Sequence, residues 1–360
     1  MIPVTKSFLP PIDNYMQQVQ RAFDNEWLTN RGELVKELEQ ALKSRLQLES
    51  YIPLATNNGT IPLQIGLKLL GKGGEIITTP FSYVATTASI VWENCKPVFV
   101  DIHPDYLTID ETKIERAITP NTTCILATHV FGNPCNIDVI QKIANKHNLA
   151  IIYDGAHCFN VKYDGKSIFE YGDLTTCSFH ATKLFHTAEG GAIFCKNMEL
   201  YNKVFYMHNF GHSSPSTFHG LGINAKLSEL QAAMGLAVLP YMDYILEQRG
   251  NIVELYNKLL DFTNVRKIKI RENTNWNSSY YPVIFQSESI LLMVEKKLNE
   301  KNIFPRRYFY PSLNTLNYTK SDNVDISEQI ANTILCLPIY DSLTEGEVNQ
   351  ISKIVNKYSL

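Results

Sequence analysis

The chain has 360 residues, 44% of them hydrophobic and 19% charged, which favours two subdomains with a large buried core and excludes extensive disorder. A formal charge of −3 supplies no basic surface for nucleic acid or an anionic membrane, so any charged ligand must be held by local groups. Seven scattered cysteines without a CxxC pair argue against a disulfide scaffold or a zinc site, and for free thiols in a reducing cytosol.

The N-terminal Met1-Ile2-Pro3-Val4-Thr5-Lys6 lacks the charged region and apolar run of a signal peptide, and no apolar run is long enough to span a bilayer. A soluble cytoplasmic protein is therefore expected. Residues 12–26 and 33–48 have the spacing of amphipathic helices, separated by the turn-like Leu28-Thr29-Asn30-Arg31-Gly32. From about 54 onward, short apolar runs at 75–79, 97–100, 123–127, 150–153, 175–179 and 191–195 alternate with helix-patterned segments such as 62–70, 114–118 and 137–147. That alternation predicts a mostly parallel sheet with helices on both faces. Ligands of such sheets bind beyond the carboxyl ends of the strands, and Tyr83, Asp154 and Lys183 each follow a strand end.

A long helical stretch is predicted over about 226–258, running across an interrupting Pro240. Beyond it lie a strand-like run at 280–285, a helix near 288–302 and a final helix at about 343–357. The expected division is a large unit of residues 1–245, with its N-terminal helical segment, and a small C-terminal unit of residues 246–360.

Two positions carry the chemistry. Asp154 closes the run Ala150-Ile151-Ile152-Tyr153, and Lys183 follows Ser178-Phe179-His180-Ala181-Thr182 just before the Glu189-Gly190-Gly191 turn. Taken singly, the lysine has an ordinary reading as a surface residue and the aspartate as a turn former. Taken as a pair at the ends of two buried strands, they match the two demands of pyridoxal phosphate (PLP). Its aldehyde needs a lysine amine, and its pyridine nitrogen needs a carboxylate partner so that the ring can act as an electron sink.

Asn58-Gly59-Thr60-Ile61-Pro62 is a turn running into a helix start. On its own it reads as a helix cap; beside the Asp154/Lys183 pair, its amides and the Thr60 hydroxyl would cup a phosphate, joined by the Ser178 hydroxyl. Tyr83 is either a core aromatic or a ring stacked on the pyridine. His208 and His212 are four apart, but Gly211 and the following Ser213-Ser214-Pro215-Ser216 make a loop of that segment, so no metal is expected there.

Together these segments resemble the DegT/DnrJ/EryC1/StrS family of PLP-dependent sugar aminotransferases over nearly the whole chain. The likeness runs through Trp27-Leu28-Thr29-Asn30, the Asn58-Gly59-Thr60 turn, Phe81-Ser82-Tyr83-Val84-Ala85-Thr86 and Lys96-Pro97-Val98-Phe99-Val100-Asp101. It continues through His129-Val130-Phe131-Gly132-Asn133-Pro134, the Asp154 and Lys183 motifs, Asn224 and Leu337-Pro338. The resemblance implies an α/β PLP-dependent transferase of fold type I, like aspartate aminotransferase, with a large mostly parallel sheet domain and a smaller C-terminal α/β domain. It also implies a homodimer with active sites at the subunit interface.

By the same resemblance, Lys183 binds the cofactor covalently, Asp154 meets the ring nitrogen and Tyr83 stacks on the ring. Gly59, Thr60 and Ser178 hold the phosphate together with Asn224 of the partner subunit. His157 stands near the phenolic oxygen where the family commonly has glutamine, and Lys226 stands where many members have arginine. Lys183 occupies the position where the family's dehydratases carry histidine, which favours transamination.

Residues 179–191 resemble enzymes that aminate C4 of a 4-keto-6-deoxy hexose, and the run Arg307-Tyr308-Phe309-Tyr310-Pro311-Ser312-Leu313 resembles the branch that forms dTDP-4-amino-4,6-dideoxyglucose. The implied substrates are L-glutamate and dTDP-4-keto-6-deoxyglucose, aminated at C4. C3 amination, sugar dehydration and a non-catalytic binding or regulatory role on the same scaffold are the alternatives. The 208–222 segment is read equally as a cover for the sugar nucleotide and as an ordinary connector. The resemblance, and no single residue, points to an O-antigen, lipopolysaccharide or other surface-glycan route.

Overall fold

The computed structural model describes residues 1–319, 321 and 324–360. Apolar runs of four to seven residues build one seven-stranded sheet: β1 (Ile52–Thr56), β2 (Glu75–Thr78), β3 (Lys96–Phe99), β4 (Thr122–Thr128), β5 (Ala150–Asp154), β6 (Leu174–Ser178) and β7 (Gly191–Cys195). The order across the sheet is β1-β7-β6-β5-β4-β2-β3. All pairings are parallel except those of β7, which runs antiparallel to β1 and β6. Ile125 and Leu126 of β4 and Ile151 and Ile152 of β5 are all fully buried, so side chains on both faces are covered, as the continuous apolar runs require.

The helices that cover the sheet are α1 (Ile12–Asp24), α2 (Glu33–Arg45), α3 (Ile61–Gly66), α4 (Val84–Trp92), α5 (Ile137–His147), α6 (Met198–Met207) and α7 (Glu229–Val238). Helices α1 and α2 stop short of their expected ends, where Glu26 (φ 50°) and Gln47 (φ 54°) turn into the left-handed region. The long helix expected over 226–258 is two helices. A tight turn at Leu239–Tyr241 separates α7 from α8 (Met242–Leu259), because Pro240 has no N–H to give and its ring blocks the preceding turn.

The C-terminal region adds an antiparallel sheet of β8 (Val265–Lys267), β9 (Tyr281–Phe285) and β10 (Ile334–Leu337) in that order. Helices α9 (Glu288–Asn299) and α10 (Asp325–Thr333) pack against it, and α11 (Glu345–Tyr358) packs on α8 and α9. Residue 246 falls inside α8, a continuous helix whose Met242 and Ile245 join the core of the large sheet and whose Ile252 and Tyr256 join the small one. The N-terminus also reaches the C-terminal region, where Ile2–Pro3 pairs in parallel with Ile303–Phe304.

Strand register positions the site. Thr128, Asp154 and Thr176 lie side by side on β4, β5 and β6, and Thr56, Gly191 and Ser178 do so on β1, β7 and β6. Both rows end at one edge of the sheet. Among the described residues, no helix is long and apolar enough to cross a membrane.

Candidate active site

That edge carries a cavity of about 280 Å³ whose wall includes Gly59, Thr60, Tyr83, Asp154, His157, Ser178 and Lys183. The loop after β1 enters first. Asn58 Oδ1 accepts the N–H groups of Thr60 (2.8 Å) and Ile61 (2.9 Å), which fixes the turn into α3. The cap expected of this turn is therefore present, supplied by Asn58. Gly59 backs onto β6 so closely that a Cβ there would lie 2.5 Å from Ser178 Cβ, and glycine is required. Gly59, Thr60 and Ser178 thus share the wall of one cavity, with Gly59 packed directly on Ser178.

Asp154 ends β5 and is buried. Its Oδ1 accepts the Ala156 N–H (3.0 Å) and its Oδ2 accepts the Thr86 hydroxyl (2.7 Å). Burial pushes its pKa up, opposed by these two hydrogen bonds and by Lys183. A carboxylate of raised proton affinity facing a cavity is suited to share a proton with a ring nitrogen.

Lys183 lies on the loop after β6, with its N–H bonded to His180 O at 2.8 Å. Its Nζ reaches Tyr280 Oη at 3.5 Å and sits 5.9 Å from the centre of that ring. Burial holds the amine below the ordinary lysine range, with Tyr308 and Asp154 acting the other way. A larger fraction is therefore unprotonated at neutral pH than for a lysine in water, as a nucleophilic amine needs.

His157 follows β5 and accepts the Phe131 N–H at Nδ1 (3.1 Å), so in the neutral ring the proton sits on Nε2. Burial keeps its pKa well below the usual value. Tyr83 precedes α4 with its side chain 50% exposed on the cavity wall, an open aromatic surface that a flat ring would cover. Asn224 is elsewhere: it is exposed, its amide oxygen accepts Lys226 Nζ (2.8 Å), and it does not line this chain's cavity.

Part of the remaining wall comes from residues with no role predicted from their spacing. Tyr280, Arg306, Tyr308 and Phe309 enter from the C-terminal region, and Phe309 lies parallel to His157 at 5.7 Å. The aromatic run 308–310 stood out only by resemblance. His208 caps α6, and His212 begins a short hairpin, His212–Ser214 with Thr217–Phe218, inside the 208–222 segment.

The residues present fit PLP: a glycine packed on Ser178, a buried carboxylate and a buried amine line one cavity, which is the donor set that a phosphate, a ring nitrogen and an aldehyde need.

The sequence matches the DegT/DnrJ/EryC1/StrS aminotransferase family over residues 12–356. A dTDP-4-amino-4,6-dideoxy-D-glucose transaminase of Shigella dysenteriae is 40% identical over 361 residues, covering 98% of this chain and 98% of that one. The protein of the same name from Escherichia coli is 37% identical over 367 residues with the same coverage. The crystal structure of DesI in the presence of its TDP-sugar product is similar with a TM-score of 0.93 and 28% identity, over 99% of this chain and 93% of DesI.

Proposed function

Because the chain belongs to the DegT/DnrJ/EryC1/StrS aminotransferase family, we propose that it moves the amino group of L-glutamate to C4 of dTDP-4-keto-6-deoxy-D-glucose, giving dTDP-4-amino-4,6-dideoxyglucose. The observation that carries this reading is the 40% identity, over 98% of both chains, to a transaminase named for that product. The presence of Lys183 supports amino transfer over dehydration.

The cofactor is pyridoxal phosphate, which when bound supplies an electron sink for the reacting carbon. The chain's own groups do the rest. Lys183 Nζ, poised by burial to be unprotonated, takes the proton from the α-carbon of glutamate and later returns one to C4 of the sugar. Asp154 holds the proton on the ring nitrogen, steadied by Thr86 and the Ala156 N–H. With the cofactor bound, His157 would donate Nε2–H to the phenolic oxygen and Tyr83 would cover the ring. Gly59, Thr60 and Ser178 would hold the phosphate, with Asn224 of the partner subunit.

A homodimer is part of this reading. Asn224 lies outside its own chain's cavity, and the nearby sequence exposes Leu221 and Ile223, apolar side chains suited to an interface. A cytoplasmic location is supported by seven cysteines that are all buried and free.

The test is a single-turnover spectrum of the PLP-loaded protein. Glutamate is added, excess is removed, and dTDP-4-keto-6-deoxyglucose follows. Loss of the visible cofactor band with glutamate and its return with the keto sugar is the expected result. Loss without return, but with return on a GDP-linked keto sugar, would overturn the dTDP assignment. No 2-oxoglutarate release from glutamate would overturn amino transfer itself.

A further inference from the structure

We propose that Thr86 is a positioning residue, fed by a chain of buried hydroxyls from Thr128 and Ser82, that keeps the Asp154 carboxylate charged and aimed at the cofactor's ring nitrogen. The inference rests on the PLP reading of this site and adds residues to which that reading gives no part.

The geometry is a line of three contacts. Thr86 Oγ1 lies 2.7 Å from Asp154 Oδ2, Ser82 Oγ lies 2.8 Å from Thr86 Oγ1, and Thr128 Oγ1 lies 3.1 Å from Ser82 Oγ. All four residues are buried, with Thr86 at 0% exposure and Ser82 at 1%. Each hydroxyl has one proton. If Asp154 is ionised it can only accept, so Thr86 must donate to it, and the contact with Ser82 must then be donation from Ser82 to Thr86. The contact with Ser82 in turn makes Thr128 the donor to Ser82. The line therefore has one direction when Asp154 is charged, and every hydrogen bond in it strengthens the negative end. A protonated Asp154 could itself donate to Thr86, and the line would then have no fixed direction.

Local preference does not explain the arrangement. A threonine in a helix ordinarily bonds back to a carbonyl one turn earlier. Thr86, in the first turn of α4, instead reaches a residue 68 positions away in sequence. Among the described residues, Thr86 is the one side chain that donates a hydrogen bond to Asp154; the other donor is the Ala156 backbone. The titratable groups that face Asp154 are Lys183 on the loop after β6, His157 and Cys158 after β5, and Cys177 on β6. Burial keeps both thiols protonated and His157 neutral, so near neutral pH they bring no positive charge to the carboxylate. Together with the Ala156 N–H and Lys183, the hydroxyl line holds its charge in place.

The experiment uses the intact holoenzyme loaded with PLP labelled with ¹⁵N at the ring nitrogen. The ring-nitrogen chemical shift is read at neutral pH before any substrate is added, and glutamate single-turnover rates are then measured. Thr86→Val keeps shape and removes the donor. Its signal is expected to move toward that of unprotonated pyridine, with the glutamate rate falling about ten- to a hundredfold, the usual weight of a hydrogen bond to a charged group. Thr86→Ser is expected to restore both. Ser82→Ala, one link back, is expected to move the signal in the same direction by less, and it serves as the test if Thr86→Val does not fold. An unmoved ring-nitrogen signal in Thr86→Val, or in Ser82→Ala where that is the folded variant, would overturn the proposal. A shift that moves as expected in a protein that does not react with glutamate would leave the Thr86 role standing and overturn the donor assignment alone.

Discussion

The His157 imidazole is held from several sides: Nδ1 takes the Phe131 N–H at 3.1 Å, Phe309 lies parallel at 5.7 Å, and the Tyr280 ring stands 4.7 Å away. Charging it would add a second proton at Nδ1, where a backbone N–H already points, and would do so in a buried site. Burial accordingly keeps its pKa well below the histidine norm. Near neutral pH the ring is a fixed single donor, which is also what a glutamine amide offers while its oxygen accepts the Phe131 N–H. His157→Gln should therefore keep kcat within about threefold, whereas His157→Leu, which loses the Nε2–H donor and leaves the Phe131 N–H without its acceptor, should lower it about tenfold. Steady-state rates across pH would check this. Were the acid limb of the profile to vanish in His157→Gln, the ring would be titrating during turnover and the neutral-donor account would be wrong.

Helix α2 begins at Gly32, which has no side chain with which to cap it. The cap comes from another element: buried Glu229, at the start of α7, accepts the Leu34 N–H at 2.7 Å and the Val35 N–H at 3.2 Å. The approach is close enough that a Cβ on Gly32 would lie 2.7 Å from Glu229 Cδ. Removing the carboxylate leaves two N–H groups without acceptors and leaves Glu33 as the acidic side chain in the first turn of α2. Glu229→Ala should lower the free energy of unfolding by about 2 kcal/mol, and Glu229→Gln by less. Urea titration would measure it, and an unchanged midpoint would mean that water replaces the cap. This contact also marks what a sequence can and cannot disclose. The apolar faces of α2 and α7 follow a local period, and Gly59, Asp154, Ser178 and Lys183 stand where apolar runs stop, so both were readable. Glu229 as a cap was not, because its partners are 194 and 195 positions away. Ser82, Thr86 and Thr128 were hidden for a second reason: in an apolar stretch a hydroxyl residue has no distinguishing spacing. Tyr280, Arg306, Tyr308 and Phe309 belong to the region after α8, and only the packing of that region against the large sheet brings them to the cavity.

At the scale of the molecule, the large and small cores meet through α8 and through an aromatic cluster that includes Phe81, Phe131, Tyr280 and Phe309. His129 and His208 are buried and held uncharged near neutral pH. His129 stacks on Tyr153 with ring centres 4.5 Å apart, accepts the Cys135 N–H at Nδ1 (3.0 Å), and has a buried Nε2 with no partner among the described residues. Burial lowers its pKa to about 3, with Arg271 adding to the effect, and lowers that of His208 to about 4. Unfolding returns both toward the ordinary value of 6.5. Between 6.5 and 4 the unfolded chain thus binds protons that the folded chain refuses, so the histidine contribution to stability is complete above 6.5 and is lost progressively as the pH falls. Each such group removes about 1.4 kcal/mol per pH unit once the pH is below its unfolded value. Glu39 and Asp154, whose carboxyls burial pushes up, act in the opposite sense near the bottom of this range, so the total slope mixes both. His129→Gln separates them, because it removes one titrating group while keeping an acceptor for the Cys135 N–H. Denaturant unfolding at several pH values between 6.5 and 5 should give a shallower loss of stability for this variant than for the native chain, by about 1 kcal/mol per pH unit averaged over the interval. Equal slopes would mean that His129 takes up a proton in the folded state, and that its site beside Tyr153 in the large core admits a charge its geometry argues against.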